Sequence, residues 1–382
     1  MAEQWEVGIG AARCDATLDL GELHPSGHGA FRLDITVEDD VVVAARPRPG
    51  LLHRGVEKLM EVRDYRQALM LADRHDWLSA VTSEITLALA IEELLGLEVP
   101  QRAVWLRTIA AEISRASAAL LHLAGAASLP PNTGPTSGGQ ASTPTFPPPG
   151  MTAREAWLDC LEALSGNRIH AMVTRVGGLA ADAPAEWSEL IARATDITRD
   201  EMPALRAAIE ARIPRGVAAL SEADARTWAV SGPVARASGL DIDLRLDMPV
   251  LAYGSLADSL RVITGSAGDA RERYRVLADQ VLADLDLIEV ALTRVPDGPI
   301  DVPLPKVVRA PEGAAYARME SAIGVNGAYL VSTGDVTPWR VRWRTASYAN
   351  VQAMSAALPG TPVRDLAAAV GSFLFVVGDL DH

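Results

Sequence analysis

The chain changes its hydrophobic period twice. Within residues 5–50 apolar and polar positions alternate, as in Phe31-Arg32-Leu33-Asp34-Ile35-Thr36-Val37, and turn residues separate the runs. That period of two predicts strands. From Glu57 the spacing becomes helical. Arg66 to Leu95 is rich in Ala and Leu and predicts a helix stopping at Gly96. Pro100 opens a longer helix, along which Leu106, Ile109, Ile113, Ala116, Leu120 and Leu123 form one apolar stripe. Thr152 and Glu155 have capping-box spacing, predicting a helix that ends at Gly166. Further helices are predicted over Pro184–Thr198 and Asp200–Arg212, from Ser221, and after Gly268. The last carries Tyr274, Leu277, Val281, Leu285, Ile288 and Leu292 on one face. Strands return at Ala328–Ser332 and Arg340–Arg344, around a Gly334-Asp335 turn. Ser231–Gly239, built of Gly, Pro and Ser, predicts irregular backbone.

The order of elements predicts an α+β fold, mostly α, with a central helical bundle and small β-sheets in the N- and C-terminal parts. Strands do not alternate with helices, which excludes a doubly wound sheet. Three regions are expected: an N-terminal β region over 1–55, a helical core over 56–300 and a C-terminal α/β region over 301–382. Residues 130–150 hold seven of the 24 prolines and are expected to form a loop within the core.

At 382 residues the chain can bury a sizeable core as one domain or two to three smaller ones. Its net charge of -14 argues against nucleic acid or anionic lipid as main partner, since both require a basic footprint. Two cysteines, Cys14 and Cys160, lie far apart, so no disulfide framework or CxxC site can be built, and a reducing compartment is expected. Met1–Glu6 lacks a basic stretch followed by an apolar one, so no signal peptide is expected. Leu366–Val377 is too short to span a bilayer. An association with membranes would therefore run through other proteins.

Polar residues inside apolar surroundings nominate the chemistry. Arg74-His75-Asp76-Trp77-Leu78-Ser79 interrupts an apolar helix pattern, which marks a buried polar network or a site. His24 and His28 lie four apart with Pro25 and Gly27 between them, on a turn rather than a helix face, and no cysteine or carboxylate nearby completes a metal site. His170 follows Arg168, and neighbouring guanidinium groups favour its neutral ring. His122 reads as a packed histidine of its helix. Arg340, Arg342 and Arg344 share one strand face, open to solvent or to an acidic partner. Gly8-x-Gly10 lacks a third glycine, and Ser231–Gly239 lacks a phosphate-loop lysine, which excludes nucleotide fingerprints. No hydrolase motif is present.

Several segments, in order, resemble the D subunit of respiratory complex I, which is related to [NiFe]-hydrogenase large subunits. They are His24-Pro25-Ser26-Gly27-His28-Gly29, Gly50 to Leu59, Ala88 to Arg102 and Arg168-Ile169-His170. Gly232 to Gly239, Ser347 to Ala353 and Gly378-Asp379-Leu380-Asp381 complete the series. The positions resembling the hydrogenase cysteine pairs are Asp76, Ser79, Val376 and Asp379. None is a thiolate, so nickel–iron chemistry is not expected.

The resemblance implies the quinone-site component of an NADH-quinone oxidoreductase, a translocase active only in its complex, with no cofactor of its own. Its implied partners are the B subunit, which carries a [4Fe-4S] cluster, the C subunit and the membrane-arm H subunit. The implied place is peripheral, on the cytoplasmic face of the plasma membrane. His28 and Trp77 would contact the quinone, with Asp76 as a further catalytic candidate, and Arg74 and His170 would lie against the partner's cluster. Departures are Trp77 where a tyrosine is usual, Leu129 where a carboxylate partners the quinone histidine, Ala322-Ile323-Gly324-Val325 for Pro-Arg-Gly-Glu, and Leu374 for an aspartate. An indole N–H donates a hydrogen bond but does not release a proton as a phenol can. The alternative expectation is a catalytically altered paralogue that only docks the B subunit.

Overall fold

A computed structural model describes residues 2–14, 16–129 and 147–382. Most of the expected 130–150 loop therefore lies outside the described residues. The N-terminal strands are β1 (Glu3–Gly10), β2 (Ala16–Thr17), β3 (Ala30–Glu38) and β4 (Val41–Arg48), in the order β2-β1-β3-β4. β3 follows the alternation expected of it: Phe31, Leu33, Ile35 and Val37 are buried and the residues between them are not. β3 and β4 form a hairpin closed by Asp39 and Asp40, both at positive φ, as a two-residue turn of this hand requires.

The helices that follow are α1 (Val56–Glu61), α2 (Tyr65–His75), α3 (Ala80–Leu95), α4 (Gln101–Ala127) and α5 (Met151–Ser165). The single helix expected over Arg66–Leu95 is thus two, parted at residues 76–79. α2 starts with a capping box between Asp64 and Gln67. The box expected from Thr152 and Glu155 does not form; Glu201 instead accepts from the Gly150 and Ala153 amides and satisfies that helix start. α4 is about 40 Å long at about 1.5 Å per residue. It is buried on every side rather than along one stripe, because α3, α5, α6 (Trp187–Arg212) and α10 (Ala270–Leu292) all pack against it. α6 joins the two helices expected over 184–212, running through Pro203.

Between β5 (Thr174–Arg175), β6 (Gly178–Leu179) and α10 lie short helices: α7 (Glu222–Thr227), α8 (Gly232–Ala237) and α9 (Leu244–Asp247). α8 falls where irregular backbone was expected; every one of its residues is buried, and Pro233 sits in the first turn, where a missing N–H costs nothing. A second sheet, β7 (Gly313–Ser321), β8 (Gly324–Ser332) and β9 (Arg340–Arg344), is antiparallel in that order. α11 (Ala346–Gln352), α12 (Met354–Ala357), α13 (Leu366–Gly371) and α14 (Val377–Leu380) close the chain. One apolar cluster joins the N-terminal sheet to α4, α5, α10 and the C-terminal segment 366–380; a second joins α2 and α3 to β7–β9. Among the described residues, no helix is long and apolar enough to cross a membrane.

Candidate functional site

A short 3-10 turn, Pro25–Gly27, is flanked by His24 and His28. Ser26 Oγ donates to the Phe375 carbonyl at 2.8 Å. Gly29, at φ +113°, lies so close to α14 that a Cβ there would stand 2.9 Å from Val377 Cβ. The C-terminal segment therefore holds the turn from below, and His28 is left exposed at its edge. Its ring meets Trp77 edge to face, centroids 5.8 Å apart at 84°.

Trp77 sits where α2 and α3 part, and Asp76 accounts for that break. Asp76 Oδ1 accepts from the Leu78 and Ser79 amides at 3.1 Å each, a side-chain turn that redirects the backbone just before α3 begins. Its carboxyl is buried, and burial together with the neighbouring Asp379 pushes it up to about 7. Asp379, on α14, is pushed up to about 6, chiefly by burial, although it accepts from the Ser347 amide at 3.0 Å. The two acids thus hold a proton between them near neutral pH. His75 Nδ1 lies 3.6 Å from Asp379 Oδ1, but burial keeps this imidazole well below its ordinary value and hence neutral.

Arg74 and His170 meet at a different carboxylate. Arg74 Nη1 bonds Asp73 Oδ2, and His170 Nδ1 lies 3.3 Å from the same oxygen. Asp73 is buried, while Arg74 and His170 keep side-chain exposures of 40% and 32%, so a charged edge faces outward above a buried acid. Glu84 fixes the backbone beyond His170 by accepting from the Met172 amide at 2.6 Å and the Thr174 amide at 3.1 Å. Burial, then Asp73, pushes Glu84 up to about 7. The arginine expected beside His170 turns away: Arg168 pairs with Glu155, Asp159 and Glu162 at 2.6–2.8 Å.

The candidate residues therefore fall into two adjoining groups on the end of α2. His28 and Trp77 touch, with Asp76 behind them; Arg74 and His170 share Asp73. The expected solvent-facing arginine strand is only partly so. Arg340 pairs with Glu57 and Glu61, and Arg344 bonds Ser231 Oγ and the Val325 carbonyl. Sequence reasoning did not nominate Asp73, Glu84 or Asp379 as site residues. Asp73 directly precedes the polar run from Arg74, and Glu84 is an isolated acid in an apolar helix. Both were open to the binary-pattern argument that found their neighbours. Asp379 was singled out only by the resemblance, among the positions matching the hydrogenase cysteine pairs, and its proton-holding role depends on folding near Asp76.

Comparison with known proteins places this geometry. The family described as "Respiratory-chain NADH dehydrogenase, 49 Kd subunit" matches residues 141–309 and 303–382. The NADH-quinone oxidoreductase D 2 subunit of Salinispora tropica is 49% identical, over 98% of this chain and 96% of its own. The chain belongs to the 49-kDa subunit family of complex I. The corresponding D 1 subunit of Streptomyces coelicolor is 46% identical, over 98% of both chains. A chain in the structure of a membrane-bound sulfane sulfur reductase, an archaeal respiratory membrane complex, is 27% identical with a TM-score of 0.82. That match covers 95% of this chain and 97% of the other. The α+β architecture is accordingly that of the family.

Departures from the usual family pattern have structural counterparts in this 49-kDa-type chain. Leu129 is buried in the apolar core. Among the described residues no carboxylate hydrogen-bonds the His28 ring, which packs on Trp77 instead. The positions that resemble the hydrogenase metal ligands do converge, in that Asp76 and Asp379 interact, and Ser79 donates its amide to Asp76. Among the described residues no group of three metal-ligating side chains forms. With two cysteines in all, Cys14 and Cys160, the chain has too few thiols to supply the four ligands of an iron–sulfur cluster.

Proposed function

We propose that this chain is the quinone-site component of a complex I-like NADH-quinone oxidoreductase, and that the quinone headgroup is received beside the paired rings of His28 and Trp77. The observation that carries the reading is the edge-to-face meeting of these two rings, from elements 49 residues apart in sequence, in a chain 46–49% identical to proteins named as D subunits of NADH-quinone oxidoreductase. His28 would donate to one quinone carbonyl and the Trp77 indole N–H to the other. An indole cannot supply a proton, so protons for the quinol oxygens come from elsewhere. Asp76, which together with Asp379 holds a proton near neutrality, is the adjacent catalytic candidate.

Electrons would arrive from a [4Fe-4S] cluster on the B subunit. The residues present suit a neighbour of that kind: the outward edge of Arg74 offers a positive charge and His170 a group able to take up a proton when negative charge increases beside it. The C subunit and the membrane-arm H subunit complete the proposed surroundings, on the cytoplasmic face of the plasma membrane, with quinone reduction coupled to proton translocation. A second reading, a paralogue that docks the B subunit without reducing quinone, draws on Trp77 and on the lack of a carboxylate bonded to His28 among the described residues. The structural neighbour also supports it, because there the same fold belongs to a complex named for a different acceptor, sulfane sulfur. His28→Ala in the assembled complex separates the readings. The quinone-site reading expects quinone reductase activity to fall at least tenfold, with reduction of the partner's cluster unchanged. Unaltered turnover, or no turnover in the unmutated complex, contradicts it.

A further inference from the structure

His24 lies outside the proposed contact with quinone, yet the fold goes to some length to accommodate it. Its imidazole is completely buried, where a polar group is costly unless it is bonded. Burial pushes it down to about 3, so the ring is neutral. Nδ1 accepts from the Ser26 amide at 3.3 Å, which leaves the proton on Nε2, and Nε2 donates to the Tyr274 hydroxyl oxygen at 3.1 Å. Tyr274 is itself fully buried on α10, 250 residues along the chain. Gly371 leaves the space this bond needs: a Cβ there would stand 2.9 Å from His24 Nε2 and 3.2 Å from the Tyr274 hydroxyl. Any larger residue would push the two apart.

The geometry points to His24 and Tyr274 as a positioning pair that sets where the His28 ring stands. This rests on the quinone reading of His28. The turn is fixed at His24 by Tyr274 and at Ser26 by the Phe375 carbonyl, and His28 follows with its amide bonded to the Pro25 carbonyl at 3.3 Å. Pro25 removes one backbone freedom from the span between them. A shift of the His24 ring is therefore passed to His28 rather than absorbed. An apolar residue could fill the same volume. A histidine with both nitrogens bonded also fixes the orientation of the turn.

The test is a double-mutant cycle in the assembled complex, reading the Kd of a short-chain benzoquinone by equilibrium binding. Tyr274→Phe keeps the ring and removes only the hydroxyl. The expected result is a Kd weakened about 3-fold to 10-fold where His28 is present, the size of one lost hydrogen bond, and no further weakening in the His28→Ala background. An unchanged Kd with His28 present, or the same factor in both backgrounds, overturns the positioning role. His28→Ala is read separately: if it leaves Kd unchanged, the quinone reading itself fails and the pair has nothing to position. His24→Gln, which can still donate to Tyr274, is expected to keep Kd closer to the unmutated value than His24→Leu does; equal losses overturn the proposal.

Discussion

Two of the clusters of buried carboxylates among the described residues solve the same problem in different ways. In the interior, Glu112 of α4, Asp243 beside α9, Asp284 of α10 and Glu320 of β7 are matched by Arg115, Arg236 and Arg245. Arg245 alone bonds Glu112 at 2.9 Å, Asp284 at 2.7 Å and Asp243 at 2.8 Å. The guanidinium groups hold Asp243 and Asp284 below their ordinary values despite burial. Asp76 and Asp379 at the candidate site are buried to the same degree and are pushed upward. Arg344 does favour the ionised form of Asp379, but more weakly than burial opposes it. A cation beside a buried acid can reverse the shift that burial imposes, as at Asp243 and Asp284, whereas at Glu112 burial still outweighs Arg245 and Arg115 and the shift is upward. The first cluster is a fixed strut joining α4, α9, α10 and β7, and the second is poised to take and give a proton.

The largest effect that would sharpen this contrast is removal of the strut's central cation. Arg245→Met leaves three buried carboxylates without their main partner and is expected to cost about 3–5 kcal/mol at pH 7 in denaturant unfolding of the full-length chain. A loss under about 1 kcal/mol would break the description of the cluster as a strut. Asp76→Asn should behave differently at the same pH, because it removes an acid that resists ionising.

The next effect is a dependence on pH. Carboxyls raised on folding bind protons that the unfolded chain has already released. They therefore cost stability as pH rises from about 4, and the cost is complete above the folded value of about 7. For Asp76 this contribution is on the order of 2–4 kcal/mol. Between pH 4 and 7 the unfolding free energy of Asp76→Asn, relative to the unmutated chain, should rise with pH; a flat difference contradicts the upward shift. Asp243 works with the opposite sign, its contribution being present above its unfolded value and lost as pH falls through the lower folded one.

A smaller effect is expected from Tyr253→Phe. Tyr253 donates to Glu112 at 2.6 Å in the interior, on a carboxyl that would be left short of a partner without it. Its loss should cost about 1.5–3 kcal/mol by the same unfolding measurement, less than loss of Arg245. Smallest in stability is Trp77→Tyr, which changes a half-buried ring at the site and is expected to stay within about 1 kcal/mol. Its readout is the pH profile of quinone reduction in the complex. A phenol in place of the indole should change that profile, and an identical profile would argue against Trp77 contacting the quinone.

Much of the fold was legible because single elements carry their own periodicity. β3, β9 and α4 declare themselves by alternation or helical spacing, and Gly96 and Gly166 end their helices where expected. What could not be read were features set by partners distant in sequence. The start of α5 depends on Glu201, and the α2–α3 break on Asp76 bonding the Leu78 and Ser79 amides ahead of α3. The His28 and Trp77 positions entered through resemblance to a family, not through pattern. Asp379, His24 with Tyr274, and the Arg245 cluster gain their meaning only from contacts across the fold. Glu112, an isolated acid on an apolar stretch of α4, was nonetheless visible as a break in pattern.

A proton is expected on the Asp76–Asp379 pair near neutral pH, while the neighbouring guanidinium groups keep Asp243 and Asp284 ionised. Infrared titration of the protonated carboxyl band measures this directly, with Asp76→Asn assigning the signal. In the difference spectrum between the unmutated chain and Asp76→Asn, which cancels the bands of Glu84 and the other raised acids, a carboxyl band titrating between about pH 6 and 7 is expected. A difference spectrum at pH 6 with no protonated-carboxyl band would overturn it.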